Sequence, residues 1–401
     1  MTAARSSSLA AASLVGVMVI NMLGFGIVVP LLPFYAKSFD AAPWQIALIF
    51  SAFSMGTFFG EPIWGRLSDR VGRKPLLLST VSATACCYGL LAFAPDVWTA
   101  FAIRFVGGAA SGNAAVMGGY IADVTAPEKR TRRLSWLGAA GSVGLVIGPS
   151  IGGLFADPEA GPAGFRTPLL IAGGLSATCL LGILLFIREP ETHRKREDAG
   201  HRWHALDEVA RHPVIARLML LTFLVGVAFT GIESVFGLWG QARFGWGPRE
   251  IGLCFAVAGV VSGLTQFFAT GPLSERFGEA RVLAAGMALT VAGVLAQTQA
   301  TSFAAVTTFM ALTALGQSVS WPNVGALISR NADPAKQGQV LGLNNACGAF
   351  ARFVGPLCAG LAFAHVSRDA PFVIAALVVA PAILLALSAA ERSRSVTTSA
   401  D

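Results

Sequence analysis

The chain has 401 residues, of which 54% are hydrophobic and only 13% charged, with a mean hydropathy of +0.64. A water-soluble domain carries about 25% charged residues, so these charges cannot cover a soluble surface, and a disordered chain has the opposite composition. The net charge of +7 and pI near 9.4 would suit a nucleic-acid binder, but the basic residues fall in short segments between apolar runs, which is the pattern of membrane topology.

A helix needs about 20 apolar residues to cross the ~30 Å hydrocarbon layer. In chain order the sequence predicts twelve such spans: 9–35, 44–65, 75–94, 97–122, 134–156, 166–187, 214–241, 250–270, 281–298, 302–328, 338–364 and 370–389. The first is too long for a cleavable signal and has no A-x-A-like site after it, so it is read as a span. With the N-terminus inside, 22 of the 29 Lys and Arg fall in cytoplasmic segments and five in outside loops. Both termini are therefore expected in the cytoplasm, in a bacterial-type inner membrane. Between spans six and seven lies a polar, charge-rich stretch read as a cytoplasmic linker, with a short surface helix around Ala205–Arg211. The expected organisation is a bundle over 1–187, a linker over 188–213 and a second bundle over 214–401. The six cysteines lie in apolar stretches without a C-x-x-C pair, and the five histidines lack metal spacing, so no metal site is expected.

The halves repeat. Shifting the sequence by about 207 residues aligns the segment from Gly65 with that from Gly271, Gly148-Pro149 with Gly355-Pro356, Pro127 with Pro334, and Gly24 with Gly231. Six helices is an even number, so the second half enters the membrane as the first does. The repeat is therefore parallel, about an axis along the membrane normal.

Four segments carry chemistry. After the second span comes Gly65-Arg66-Leu67-Ser68-Asp69-Arg70-Val71-Gly72-Arg73-Lys74-Pro75. Gly65 and Gly72 permit tight turns, Asp69 can accept from a helix N-terminus or pair with an Arg, and Arg70, Arg73 and Lys74 hold the loop inside. Its bland reading is a loop that only sets topology. The fifth span repeats Gly144, Gly148 and Gly152 every four residues, a smooth stripe for close helix approach, and Pro149 bends it. The alternative is ordinary small-residue packing. The fourth span runs from Arg104 through Gly107, Gly108 and Gly112 to Asn113, and ends in Asp123. The first carries Asn21, Gly24, Gly26, Pro30 and Pro33.

Together these motifs resemble the major facilitator superfamily, in its twelve-span drug:proton antiporter branch of tetracycline and multidrug efflux transporters. The resemblance covers essentially the whole chain. It implies an all-α integral membrane fold of twelve transmembrane helices in two pseudo-symmetric six-helix bundles, working by alternating access. It also implies that the first loop latches the halves and that the fifth-span motif marks an exporter. Many such exporters carry an Asp where this chain has Asn21, and an Asn cannot carry a proton at physiological pH. No cofactor is expected, with the proton gradient as energy source. Expected partners are a small-molecule substrate, protons and the lipid bilayer, with no nucleic acid, and the chain is expected to act as a monomer.

An ionised side chain at a helix centre costs about 2.5–3.5 kcal/mol on insertion scales, so each needs a reason. Glu61 lies close enough to the cytoplasmic end for a structural role. Arg104, which family position sets near Asn21, suits either substrate or proton handling, or helix pairing. By the repeat, Glu233 occupies on the seventh span the place of Gly26 on the first. It is the acidic candidate for a proton or cationic-substrate site, or else a fixed partner of Arg352, near mid-span in the eleventh. The substrate and proton pathway is thus expected at Asn21, Arg104, Asn113, Glu233 and Arg352. Export of small amphipathic compounds is the leading reading. Metabolite uptake by a symporter or facilitator is the alternative. A sensor would need a soluble domain, and an enzyme or ATP-driven pump reading finds no nucleotide loop.

Overall fold

A computed structural model describes residues 2–125, 143–144, 146–189, 212–333 and 337–398. The expected linker helix and the start of the fifth predicted span lie outside the described residues. Among the described residues every regular element is helical. α1 (Thr2–Val28) passes through a 3-10 turn (Val29–Leu31) into α2 (Leu32–Lys37). The turn falls at Pro30 and Pro33, whose missing N–H groups interrupt the α-helical ladder. There follow α3 (Pro43–Val71), α4 (Arg73–Leu91), α5 (Val97–Ala109), α6 (Asn113–Val124), α7 (Val146–Phe155), a 3-10 stretch (Pro158–Phe165) and α8 (Arg166–Phe186). The second half has α9 (Pro213–Phe244) and α10 (Pro248–Leu264), then a π-turn (Thr265–Ala269) leading into α11 (Thr270–Phe277). It ends with α12 (Glu279–Gln299), α13 (Phe303–Asn331), α14 (Gln337–His365) and α15 (Ala370–Thr398). Nine stretches among the described residues are long and apolar enough to cross a membrane, and α5 and α7 are shorter apolar helices.

Three boundaries differ from the sequence expectation. The segment read as a loop from Gly65 is helical as far as Val71, so Gly65 makes no turn. A lone glycine inside a helix costs only about 1 kcal/mol, too little to end one. Gly72 alone turns the chain, at φ 113° and ψ 159°. The eighth predicted span likewise runs on through α11 and stops at Gly278, φ 84°. The fourth predicted span is not continuous, because α5 ends at Ala109 and α6 starts at Asn113. Trp64 supplies the reason. Its indole N–H donates to the Ala109 carbonyl at 2.6 Å, the acceptor that a continuous helix would give to the N–H of residue 113.

The described helices form two compact units, one of residues 1–198 with Phe236–Ala256, the other of Ala199–Val235 with Val257–Asp401. In the first, Leu14, Val17, Leu77, Val81, Met117, Tyr120 and Ile183 bring α1, α4, α6 and α8 into one core. In the second, α12 packs on α13 and α15. Large apolar side chains also cover outward faces: Leu185 is 74% exposed, Leu384 70% and Phe59 59%. Apolar surface on that scale is tolerated where hydrocarbon replaces water.

Candidate functional site

The junction between α3 and α4 is held by charge. Arg73 Nε donates to Asp123 Oδ2 at 2.8 Å, with both side chains mostly buried (11% and 17% exposed). Its Nη1 reaches Ser68 Oγ. Glu189 accepts the backbone N–H groups of Arg73 (2.6 Å) and Lys74 (2.8 Å), one on each carboxylate oxygen. This is an anion seated on the N-terminus of α4, where the unsatisfied N–H groups and the helix dipole favour negative charge. Gly72 is required here twice over. Its φ and ψ lie in a region almost reserved for glycine, and a Cβ on it would lie 2.8 Å from Glu189 Oε1. Lys74 Nζ donates to the Leu184 carbonyl at 3.1 Å, and Arg70 is exposed at the end of α3. Asp69 lies in the last turns of α3, and its side chain is outside the described residues.

The glycine stripe of the fifth predicted span forms a backbone-to-backbone contact. A Cβ on Gly144 would lie 2.5 Å from the Val19 carbonyl oxygen, one on Gly148 2.7 Å from Gly26 Cα, and one on Gly152 2.5 Å from the Ile27 oxygen. These distances leave no room for any larger residue, so the stripe is where α7 meets α1. Within the same compact unit, α7 also meets the start of α10. The Pro149 oxygen lies 2.5 Å from where a Cβ of Gly252 would stand, and the Pro248 oxygen 2.6 Å from that of Gly153. Nearby, Lys37 Nζ donates to Gln241 Oε1 at 2.8 Å.

Arg104 is 5% exposed on α5. The N-terminus of that helix is capped by Asp96, whose carboxylate accepts from Trp98 N, Thr99 N and Thr99 Oγ1 at 2.8–2.9 Å. Bonds from Thr99 and Trp98 hold that carboxyl below the usual carboxylate range. The Arg104 guanidinium carbon sits 4.6 Å from the centroid of the Phe53 ring. Phe53 in turn meets Phe25 of α1, with centroids 5.7 Å apart. The path from Arg104 to α1 therefore runs through rings, and no hydrogen bond joins Arg104 to Asn21 among the described residues. Arg104 Nε has no hydrogen-bond partner. A desolvated cation–π contact contributes about 2 kcal/mol, against a desolvation cost of several kcal/mol for a buried ion. Phe53 alone does not balance this charge.

Asn21 is buried on α1. Asn113 opens α6, buried, with Oδ1 unsatisfied. Glu233 is half-buried on α9 and Arg352 exposed on α14, both in the second unit. Thr230, three residues before Glu233, reaches the Ala351 carbonyl at 3.4 Å. α9 and α14 are therefore in contact at this level.

Sequence reasoning missed Glu189 and Ser68 as members of the junction. Glu189 lies 116 residues from Arg73 and reads as the first acid of a charged linker. No local pattern marks it as a cap. Gly119 was missed for a different reason. It leaves room for Arg73, whose guanidinium carbon lies 2.7 Å from where its Cβ would be, a fit that exists only once α4 and α6 pack.

The family profile described as Major Facilitator Superfamily matches residues 14–261 and 218–400. The chain is 31% identical over 350 residues to a tetracycline resistance protein, class C, of Escherichia coli, covering 86% of this chain and 87% of that one. It is 26% identical over 373 residues to multidrug resistance protein 1 of Bacillus subtilis, covering 92% and 93%. Among solved structures, a bacterial homologue of the human lysosomal transporter Spinster superposes with a TM-score of 0.79 at 16% identity, covering 96% and 97%.

Proposed function

Because this chain belongs to the Major Facilitator Superfamily, we propose that it is a proton-coupled exporter of small amphipathic compounds, of the tetracycline and multidrug kind named in its relatives. The observation that carries the reading is the α7 contact. The glycine stripe lies at backbone distance from α1 on one side, and α7 meets the start of α10 on the other. A helix so placed touches helices of both sequence halves, so movement of one half is felt at the other. In this reading twelve spans form two six-helix bundles, 1–187 and 214–401, joined by 188–213. Both termini lie in the cytoplasm of a cell with an inner membrane, and the chain acts as a monomer without a cofactor. The junction of Asp69, Arg70, Arg73 and Lys74 latches the halves.

Glu233 carries the proton. Asn21 cannot ionise, whereas Glu233 has an acid's chemistry, partial burial and Arg352 on the helix that its own helix touches. A coupling group must be reachable from each side in turn and must sense substrate. Protonation of Glu233 removes its attraction for Arg352, and deprotonation restores it. Asn21, Arg104 and Asn113 supply polar groups on the pathway in the first half. Uptake of a metabolite is the weaker alternative, since these relatives are named for resistance.

The test is proton movement in everted vesicles on addition of tetracycline and of a panel of amphipathic amines. The intact chain is expected to release protons from the vesicle lumen as it takes up one of these compounds. Glu233→Gln should abolish gradient-driven accumulation and leave substrate exchange partly intact. Wild-type proton stoichiometry in Glu233→Gln would move the carrier elsewhere, and uptake in intact cells would overturn the direction.

A further inference from the structure

The surroundings of Arg104 ask for a negative charge. A small pocket in the first unit is lined by Phe53, Thr84, Cys87, Tyr88, Arg104 and Gly107, among others. No carboxylate lines it. Arg104 is 5% exposed with Nε unbonded, and among the described residues no hydrogen bond or ion pair engages its guanidinium. A guanidinium has five N–H donors, accepts nothing, and does not lose its proton in a protein. The ring of Phe53 presents a π-face and no counter-charge.

The remaining polar groups are uncharged, and two of them still have a proton to donate. Tyr88 is 5% exposed, and its hydroxyl has no hydrogen-bond partner among the described residues. Cys87 is a free thiol. Thr84 already spends its proton on the Thr80 carbonyl at 2.9 Å. Arg104, Tyr88 and Cys87 therefore line a space about large enough for one water or one monatomic ion. A cation would meet repulsion there, and a water could satisfy hydrogen bonds but not charge. A drug-sized ligand does not fit.

We propose that this pocket binds a small monovalent anion, of which chloride is the representative, held by the Arg104 guanidinium with the Tyr88 hydroxyl and Cys87 thiol as further donors. The bound anion neutralises a charge that otherwise lies uncompensated among α3, α4 and α5. The site is separate from Glu233, which belongs to the other compact unit.

The experiment uses the full chain in nanodiscs, without any transported compound. Chloride is replaced stepwise by gluconate at constant ionic strength. One readout is the thermal unfolding midpoint. The other is alkylation of Cys87 by N-ethylmaleimide in a Cys86→Ser background, followed by peptide mass spectrometry. At ten times its dissociation constant, chloride should leave about one site in eleven free and slow Cys87 labelling about tenfold. The unfolding midpoint should rise over the same range. Arg104→Gln should lose both responses. Tyr88→Phe, which keeps the charge, should shift the chloride midpoint upward roughly tenfold, the worth of a hydrogen bond to an ion. Labelling and unfolding indifferent to chloride, or an equal response in Arg104→Gln, would overturn the proposal. Protection of Cys87 by benzoate but not by chloride would overturn it too, assigning the guanidinium to a carboxylate carried by a larger ligand. Neither readout requires transport, so a chain that exports nothing would give the same answer.

Discussion

At Gly72 a glycine with φ 113° joins α3 to α4, and at Gly278 a glycine with φ 84° joins α11 to α12. The two turns occupy equivalent places in the repeat and do the same backbone work. Their charges are exchanged. After the first turn comes Arg73, paired with Asp123 at the end of α6, and after the second comes Glu279, paired at 2.9 Å with Arg330 near the end of α13. The burial differs as well. In the first pair both side chains are mostly buried, whereas Arg330 is 73% exposed. The first junction also has Glu189 on the N-terminus of α4. The repeat has thus kept the turn and the existence of a pair, and has let the sign and the strength of the lock diverge. Backbone geometry at such a turn is hard to vary because almost only glycine adopts it. An ion pair is easy to reverse, provided that both partners change together.

Alanine at the two glycines gives the largest contrast. Gly72→Ala meets backbone strain of about 1–3 kcal/mol and also drives its Cβ into the Glu189 carboxylate. Gly278→Ala meets the strain alone, since nothing lies within 4 Å of its Cβ. Thermal unfolding in detergent should show the first clearly less stable than the second, and equal losses would mean that Glu189 does not act as a cap.

The charge pairs come next. Asp123→Asn leaves Arg73 mostly buried without its ion, at a cost between the ~1 kcal/mol of an exposed pair and the ~3–5 kcal/mol of a fully buried one. Glu279→Gln should cost under about 1 kcal/mol because Arg330 reaches water. A reversed order of the two unfolding midpoints would break the comparison.

Exchanging the pairs sharpens it. Glu279→Arg with Arg330→Glu should be tolerated. Arg73→Glu with Asp123→Arg should not, because a glutamate at 73 would stand beside Glu189 at a helix N-terminus. Adding Glu189→Gln to that exchange should restore part of the loss, as read by unfolding and by transport. The smallest effect is Glu189→Gln alone. It keeps an acceptor and loses a charge, for about 0.5–1 kcal/mol.

Much of the first junction was legible in the sequence, and for a local reason. Gly72, Arg73 and Lys74 stand together, and Gly72 was rightly read as a turn. Gly65 was not a turn, since one glycine does not end a helix that is held by its neighbours. The fourth predicted span read as continuous because its hydropathy is continuous. Its break depends on Trp64 of another helix taking the Ala109 carbonyl, which hydropathy does not record. The glycine stripe declared that some helix comes close, and only packing named α1 as its neighbour and set α10 against Pro149 and Gly153 of the same helix.

What the sequence determined by itself is whatever depends on the chain's preference for hydrocarbon and on spacing along one helix. That covers the helical membrane character, the repeat, the turn at Gly72 and the smooth face of α7. Each follows from side chains within a few turns of one another. What only the tertiary structure decided are the partners of the charges. Asp123 and Glu189 serve Arg73 from 50 and 116 residues away, and Arg104 rests on a ring with donors around it. A charge announces in sequence that it needs a partner, because burying it alone is costly. Which partner it finds, or that it finds none, depends on which helices pack together.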